Sequence, residues 1–452
     1  MPAIFAAVLA AALHGDNAAA IADRNQFSPA EWPFLYYATT WQAETLEARH
    51  NEAVALKLAI AQASPSPVVE HATPVQIGPT LYRLDLRRLA FHPADFAVVT
   101  AANPYERSGM LSPASWLTLQ ISDGNRRPEA YYPLTTGGYN AKGALQRGIV
   151  PATRDQWLER LSVDTTRAGA QTQIEGESGV ALSGRRWLES RTMIRSRGKA
   201  WGTRDSRELT GEADPLESPI GNYRHDAEEW IAWRPKASEA SGVQGLLPVY
   251  AIFDGAGKLA KAAPPDIVED HTKFRGSSQI VAPGSCIQCH LKGAQLPTRD
   301  AFKELLASGV RRIDQYDQAR QITEAMGADK LKELHRIQED HGAAVVLATG
   351  EESAEAAACF HSTIDLYLQP IDLATAARWH HCEPERLRDV LARAAERGAI
   401  LPASVLALAH GGKCERVAFE QSFLAVRNEL DLWQAEVAAQ QAKGLGNEAT
   451  SN

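Results

Sequence analysis

Gly284-Ser-Cys286-Ile-Gln-Cys289-His290 is the stretch on which the reading of this chain turns. The 285 residues before Cys286 contain no cysteine, and the character of the sequence changes on either side of the motif. Upstream, residues 43–63 read as a helix, with Leu46, Val54, Leu58 and Ala61 at helical spacing and Ser64-Pro65-Ser66-Pro67 as a stop. Leu81-Tyr-Arg-Leu-Asp-Leu-Arg87 alternates as a half-buried strand. Trp116–Ile121 and Ala130–Leu134 are weaker strand candidates, and Val249–Phe253 with Lys258–Ala260 reads as a hairpin around Asp254-Gly-Ala-Gly257. The polar stretch 165–220 reads as loops. Downstream of residue 298 the pattern is helical: Phe302, Leu305 and Leu306 start one stretch and Ile322 to Leu334 continues it. Phe419, Phe423, Val426, Leu430 and Trp433 make one apolar stripe near the end. The expected fold class is therefore α+β: a mixed α/β part over 21–275, then a mainly helical part over 276–452 that carries the motif at its start.

The motif has a specific chemistry. Thiols at i and i+3 lie on one side of a helical turn, so each can add to one of two neighbouring haem vinyl groups. The next residue, His290, is then carried beneath the ring, where imidazole binds iron. With five cysteines and thirteen histidines in 452 residues, random order yields only about 0.002 such motifs. Zinc is the serious rival, because Cys-x-x-Cys also supplies two zinc ligands. His335 and His341 have finger-like spacing between themselves, but they lie far downstream of Cys289 for a compact finger. A redox dithiol is the third reading, and it expects a thioredoxin-like βαβ setting.

The occupant of the second face of the iron separates an electron carrier from a catalyst. The candidates are His225, His271 and Met326. Arg204, beside Trp201 in a basic stretch over 185–207, is the candidate clamp for a haem propionate, since its fork matches a carboxylate. The same stretch is a candidate docking patch for an acidic redox partner, against the plainer reading of a solvated loop. Cys359, Cys382 and Cys414 remain as three small buried residues or as one disulfide, Cys359–Cys382 or Cys382–Cys414, with one thiol left over.

Composition excludes several classes. Forty-seven basic against 55 acidic side chains leave a net charge of −8, which is wrong for a nucleic-acid binder. No apolar run is long enough to span a membrane as a helix. Residues 1–20 hold an apolar run, Ala3 to Leu13, and small residues at Ala18-Ala19-Ala20, so they read either as a signal peptide or as a first alanine-rich helix.

Several blocks together resemble a family of large, exported cytochrome-c-like proteins of planctomycete and myxobacterial type with one Ser-Cys-x-x-Cys-His haem motif. The matching blocks run from Tyr82–Arg87 through Ala200–Asp205 and His225–Glu229 to Val249–Leu259, Ala263–Val268 and the motif itself. Ile371–Ala377 and Arg416–Phe423 are alike in the helical tail. The chain departs from the pattern in its polar 234–244 stretch and in Ala227-Glu228, where glycines are usual. The resemblance implies one covalent haem c with its iron and a periplasmic or otherwise extracytoplasmic location. The function expected is electron transfer by a single-haem c-type cytochrome with a redox partner protein or a small-molecule oxidant. The alternatives are a haem c enzyme of peroxidase or oxidase type, for which the chain is generously large, and a haem-based sensor.

Overall fold

The computed structural model describes residues 16–140, 142–165, 171–175, 182, 185–194, 196–208, 210–214, 224–295 and 328–448. Sheets and helices are both present, as an α+β class requires. A small sheet opens the fold. Strand β1 (Leu35–Thr39) pairs antiparallel with β2 (Leu81–Asp85) and parallel with the short strand Ser112–Pro113. Residues 16–24 are helical and belong to this packing. The Asp16 carboxylate accepts hydrogen bonds from Thr39 Oγ1 (2.7 Å) and Thr80 Oγ1 (2.8 Å). Asp23 accepts from Tyr37 Oη (2.8 Å) and Arg83 (2.6 Å).

Helix α1 (Leu46–Ala63) runs through the centre of the molecule. Thr45 caps it, accepting from the Ala48 N–H at 3.0 Å, and Glu47 sits in the first turn against the positive end of the helix. Its second half is buried on every side, which suits an alanine-rich helix enclosed by other elements. It ends at Ser64, ahead of Pro65. Against it pack α2 (Ala114–Ser122), α3 (Pro128–Thr136) and, from the far end of the chain, α5 (Ala328–Thr349) and α6 (Ser353–Leu368); α4 (Gly284–Cys289) carries the motif. One apolar core runs from Ala38 to Leu430, so packing does not break near residue 275.

The larger sheet is a five-stranded antiparallel meander: β3 (Gln171–Glu175), β4 (Arg185–Thr192), β5 (Lys199–Asp205), β6 (Ala227–Ala237) and β7 (Gln244–Asp254). The 165–220 region, expected as loops, thus contributes three strands. Arg186, Arg191 and Arg204 are strand residues whose partners are carboxylates on their own or a neighbouring strand, so polarity there does not mean solvation. Strands β6 and β7 pair over eleven residues each, from Ala227↔Asp254 to Ala237↔Gln244. The polar 234–244 stretch is therefore the closing end of a long hairpin. The hairpin expected at 249–260 reduces to a turn with the single Phe253–Leu259 bridge.

Two strand expectations are corrected. Trp116–Ile121 lies in α2, whose nine residues are all buried, and Ala130–Leu134 lies in α3, which starts with Pro128 in its first turn. The stripe near the C-terminus holds: Phe419, Phe423, Val426 and Leu430 are buried on α9 (Arg416–Glu448), which packs against α8 (Pro384–Glu396), and α8 packs in turn against α7 (Leu373–Trp379). The stretch from Phe302 to Leu306 falls outside the described residues. All five cysteines are free, so neither expected disulfide forms; Cys359 and Cys414 are buried.

The two layers are joined by two buried basic side chains. Lys236 of β6 donates from Nζ to the carbonyls of Ser64 (2.7 Å) and Ser66 (2.6 Å), and Arg234 donates to those of Ala63 (3.0 Å) and Thr135 (3.2 Å). These groups meet the carbonyl end of α1, where positive charge is favoured. Lys236→Met leaves buried carbonyls without donors. Urea unfolding is expected to show a loss of about 2–4 kcal/mol, and a loss below half of one would refute the anchor.

Glu52 on α1 is the reverse case, a carboxyl buried beside Ser115 with Arg416 and Arg49 nearby; burial raises it from 4.5 to about 8. The folded carboxyl stays protonated while the unfolded one ionises, so stability is fully present below pH 4.5 and is lost as pH rises toward 8. The limiting slope is about 1.4 kcal/mol per pH unit. Denaturation midpoints of Glu52→Gln are expected to be flatter than wild type across this window; parallel profiles would refute the assignment.

Candidate functional site

Helix α4 begins after Pro283. Gly284 must lack a side chain, because a Cβ there would meet the Phe274 ring at 2.3 Å. Ser285 ties the first turn: its Oγ accepts from the Val281 N–H (3.0 Å) and its N–H donates to the Val281 carbonyl (2.8 Å). Cys286 and Cys289 follow one turn apart, half-buried and not bonded to each other. Burial, and after it the Glu229 carboxylate, pushes the Cys286 thiol well up. Burial, then Asp270 and Glu229, pushes Cys289 up to about 12. Zinc ligation and dithiol exchange both need a stabilised thiolate. An acidic, apolar setting disfavours it and suits a pair converted to uncharged thioethers. Among the described residues no three His, Cys, Asp or Glu side chains are placed to hold a metal ion.

His290 closes the helix, its N–H bonded to the Cys286 carbonyl at 2.9 Å. Its ring Nδ1 lies 3.0 Å from the Gly293 carbonyl oxygen. A carbonyl can only accept, so the proton sits on Nδ1 and the lone pair is on Nε2. Burial lowers the imidazole to about 4, so the ring is neutral at physiological pH. A neutral ring with its other nitrogen anchored to a backbone carbonyl is the form in which histidine binds a metal. Gly293 adopts φ +89°, and α5 backs it: the Gln338 amide donates to the Ala294 carbonyl (2.7 Å), and His341 packs against Gly293. His341 is itself buried and lowered to about 4.

The large sheet lies under this turn. His290 faces Trp233 (ring centroids 6.3 Å) and Tyr250 (6.1 Å), which share one sheet face because Tyr250 pairs with Ile231. On the same face Leu188 and Ile231 are only half-buried, beside Trp201. They form an apolar floor next to the cysteine pair that suits a flat hydrophobic group. The row beyond it is charged. Arg186 forks onto Asp205 (2.9 and 2.6 Å) and reaches Glu229 (3.2 Å). The residues present fit a haem c: two tethering thiols, a neutral anchored histidine, an apolar floor and an arginine at its edge.

Alternation in the strands places the other sequence candidates elsewhere. Arg204 pairs in register with Glu228, on the face opposite Trp233. There it donates to Glu189 at 2.8 Å, so Arg186, not Arg204, is the arginine on the motif's side of the sheet. His225 also lies with Glu228, its Nε2 2.6 Å from Oε1, while Glu228 accepts from Trp230 and Arg154 as well. This is a buried ionic cluster away from His290. His271 is exposed in the turn after Asp270. Met326 lies outside the described residues. Trp233, Tyr250, Glu229 and Asp270 were missed in the sequence. The signal was the alternation of 227–237, where residues 229, 231 and 233 fall on one face. Searches of family models, of curated proteins and of solved structures give no match to this chain.

Proposed function

We propose that this chain is a single-haem c-type cytochrome, with haem on Cys286 and Cys289 and iron on His290, acting in electron transfer outside the cytoplasm. The observation that carries the reading is the state of His290: neutral, protonated on Nδ1 by its bond to the Gly293 carbonyl, and placed directly after two unpaired thiols one helical turn apart. Bound haem supplies a one-electron couple at its iron. The protein's own residues do the rest. Cys286 and Cys289 tether the group. The Gly293 carbonyl orients the imidazole and strengthens it as a donor. From α5, Gln338 holds the next carbonyl, that of Ala294, and His341 packs against Gly293. Leu188, Trp201 and Ile231 exclude water from the floor, and the Arg186–Glu229–Asp205 cluster puts fixed charge at its edge. An extracytoplasmic location follows from the chemistry, since haem c is attached outside the cytoplasm. No helix among the described residues is long and apolar enough to cross a membrane, and the redox partner is a protein or a small oxidant.

Expression in a host with haem c maturation is expected to give a chain that stains for haem after denaturing electrophoresis. Cys286→Ser with Cys289→Ser should abolish the stain; no stain in the wild type sinks the proposal. The carrier reading further expects ferric and ferrous spectra that carbon monoxide and cyanide leave unchanged. Ligand binding would move the assignment to the enzyme or sensor reading.

Gln338→Ala tests the positioning of His290. Haem staining should be retained while the midpoint potential shifts on the order of 40 mV, the one-electron equivalent of a hydrogen bond of about 1 kcal/mol. An unchanged potential would remove Gln338 from that role.

A further inference from the structure

The turn that precedes the motif is held at a conformational cost and buries a carboxylate. Lys273 and Arg275 flank Phe274, and both take positive φ, +55° and +57°, in the left-handed region that non-glycine residues avoid. Asp270 holds the turn closed. Its Oδ1 accepts from the Thr272 N–H (2.9 Å) and hydroxyl (2.5 Å), and its Oδ2 accepts from the Phe274 N–H (3.2 Å). Its own N–H donates to the Ser278 carbonyl at 2.7 Å. The closed turn sets the Phe274 ring against Gly284, the first residue of α4, and stacks it on Phe360 of α6 with ring centroids 6.3 Å apart. Strain of this kind persists only where the surroundings enforce it, and here it places a carboxylate beside the motif helix.

Asp270 is fully buried, and each of its three donors is neutral. The cations of the turn go elsewhere: Arg275 pairs with Asp123 at 2.5 Å, and Lys273 is exposed. Among the described residues no lysine or arginine pairs with Asp270. His361, whose ring meets Phe274 at 5.8 Å, is lowered by burial and adds no positive charge at physiological pH. Glu229, the other carboxylate beside the cysteines, shares Arg186 with Asp205. The Asp270 charge reaches both thiols, and at Cys289 it counts for more than Glu229. Salt screens a buried charge little. Iron(III) carries one more positive charge than iron(II), so a negative charge held nearby favours the oxidised state. We propose that Asp270 sets the redox potential of the haem, holding it low by keeping an unpaired negative charge beside the two tethering cysteines. The inference rests on the haem reading and assigns to this chain the role of an electron donor tuned from the turn before the motif.

The test uses the full-length, haem-loaded protein and reads its midpoint potential by spectroelectrochemical titration. Asp270→Asn keeps the size of the side chain and removes its charge. At a fixed applied potential its ratio of reduced to oxidised haem is expected to rise roughly tenfold, which is about 59 mV for a one-electron couple. Asp270→Glu keeps the charge and disturbs the turn, and its ratio should stay close to that of wild type. An unchanged ratio in Asp270→Asn would overturn the proposal. An equal shift in both variants would overturn it as well, because the shape of the turn and not its charge would then set the potential. Thr272→Val covers the case in which Asp270→Asn retains no haem. It leaves the charge and removes one donor that offsets it, so the ratio should fall about threefold, the order of a single hydrogen bond; an unchanged or raised ratio would overturn the proposal. The haem stain of the wild type separates this inference from the reading beneath it. Without haem both fall, and with haem but no shift only the role of Asp270 falls.

Discussion

Everything that positions the motif depends on how strand β6 divides its two faces. Its even-numbered residues point into the core: Glu228 and Trp230 into a buried ionic cluster, Arg234 and Lys236 onto the carbonyl end of α1. Its odd-numbered residues Glu229, Ile231 and Trp233 form the floor beneath the cysteine–histidine helix. A one-residue slip would exchange the faces, burying an unpaired tryptophan face against helix carbonyls and turning cations toward the motif. The hydrogen bonds from Arg234 and Lys236 to the carbonyls of Ala63, Ser64 and Ser66 penalise that slip. Register and site are thus set by the same eleven residues.

This also explains which parts of the fold were legible in the sequence. Helix α1 was, because apolar residues recur along it and a proline stop ends it, though it starts at Leu46 and not at residue 43. The helix of Trp116–Ile121 was not. Every residue of α2 is buried, so its hydrophobicity has no period to read, and alternating Trp-Leu-Thr-Leu mimics a strand. The strands within 165–220 were hidden for the opposite reason. Arg186, Arg191 and Arg204 look solvated in one dimension, yet each meets a carboxylate on its own or a neighbouring strand. The Arg186 and Arg204 pairings join different strands and leave no local trace.

The candidate site divides along the same line. Cys286, Cys289 and His290 form a local pattern and could be read directly. The residues that give the pattern its character, Trp233, Tyr250, Glu229, Asp270 and Gln338, come from three strands or loops and a distant helix. Arg204 and His225 drew attention because they sit near aromatic and acidic residues in sequence. In a strand, nearness in sequence puts adjacent residues on opposite faces. Arg204 and Trp201 are an odd–even pair, so only one of them can face the motif, and it is Trp201.

The 285 cysteine-free residues before the motif therefore have a structural reason to be there. A cysteine–histidine turn on a short helix cannot enclose a flat group alone; it needs a floor and a back. The sheet provides the floor and α5 the back, joined in a small apolar cluster of Trp201, Trp233, Leu334 and Ile337, while α1 packs against both α5 and β7. The charge on the floor's edge is placed by the same logic. Arg186 is held by Asp205 and Glu229, so any shift in its charge balance is felt at the two cysteines, which already sense Glu229. A fold built this way can tune the motif from the sheet side without altering the motif itself.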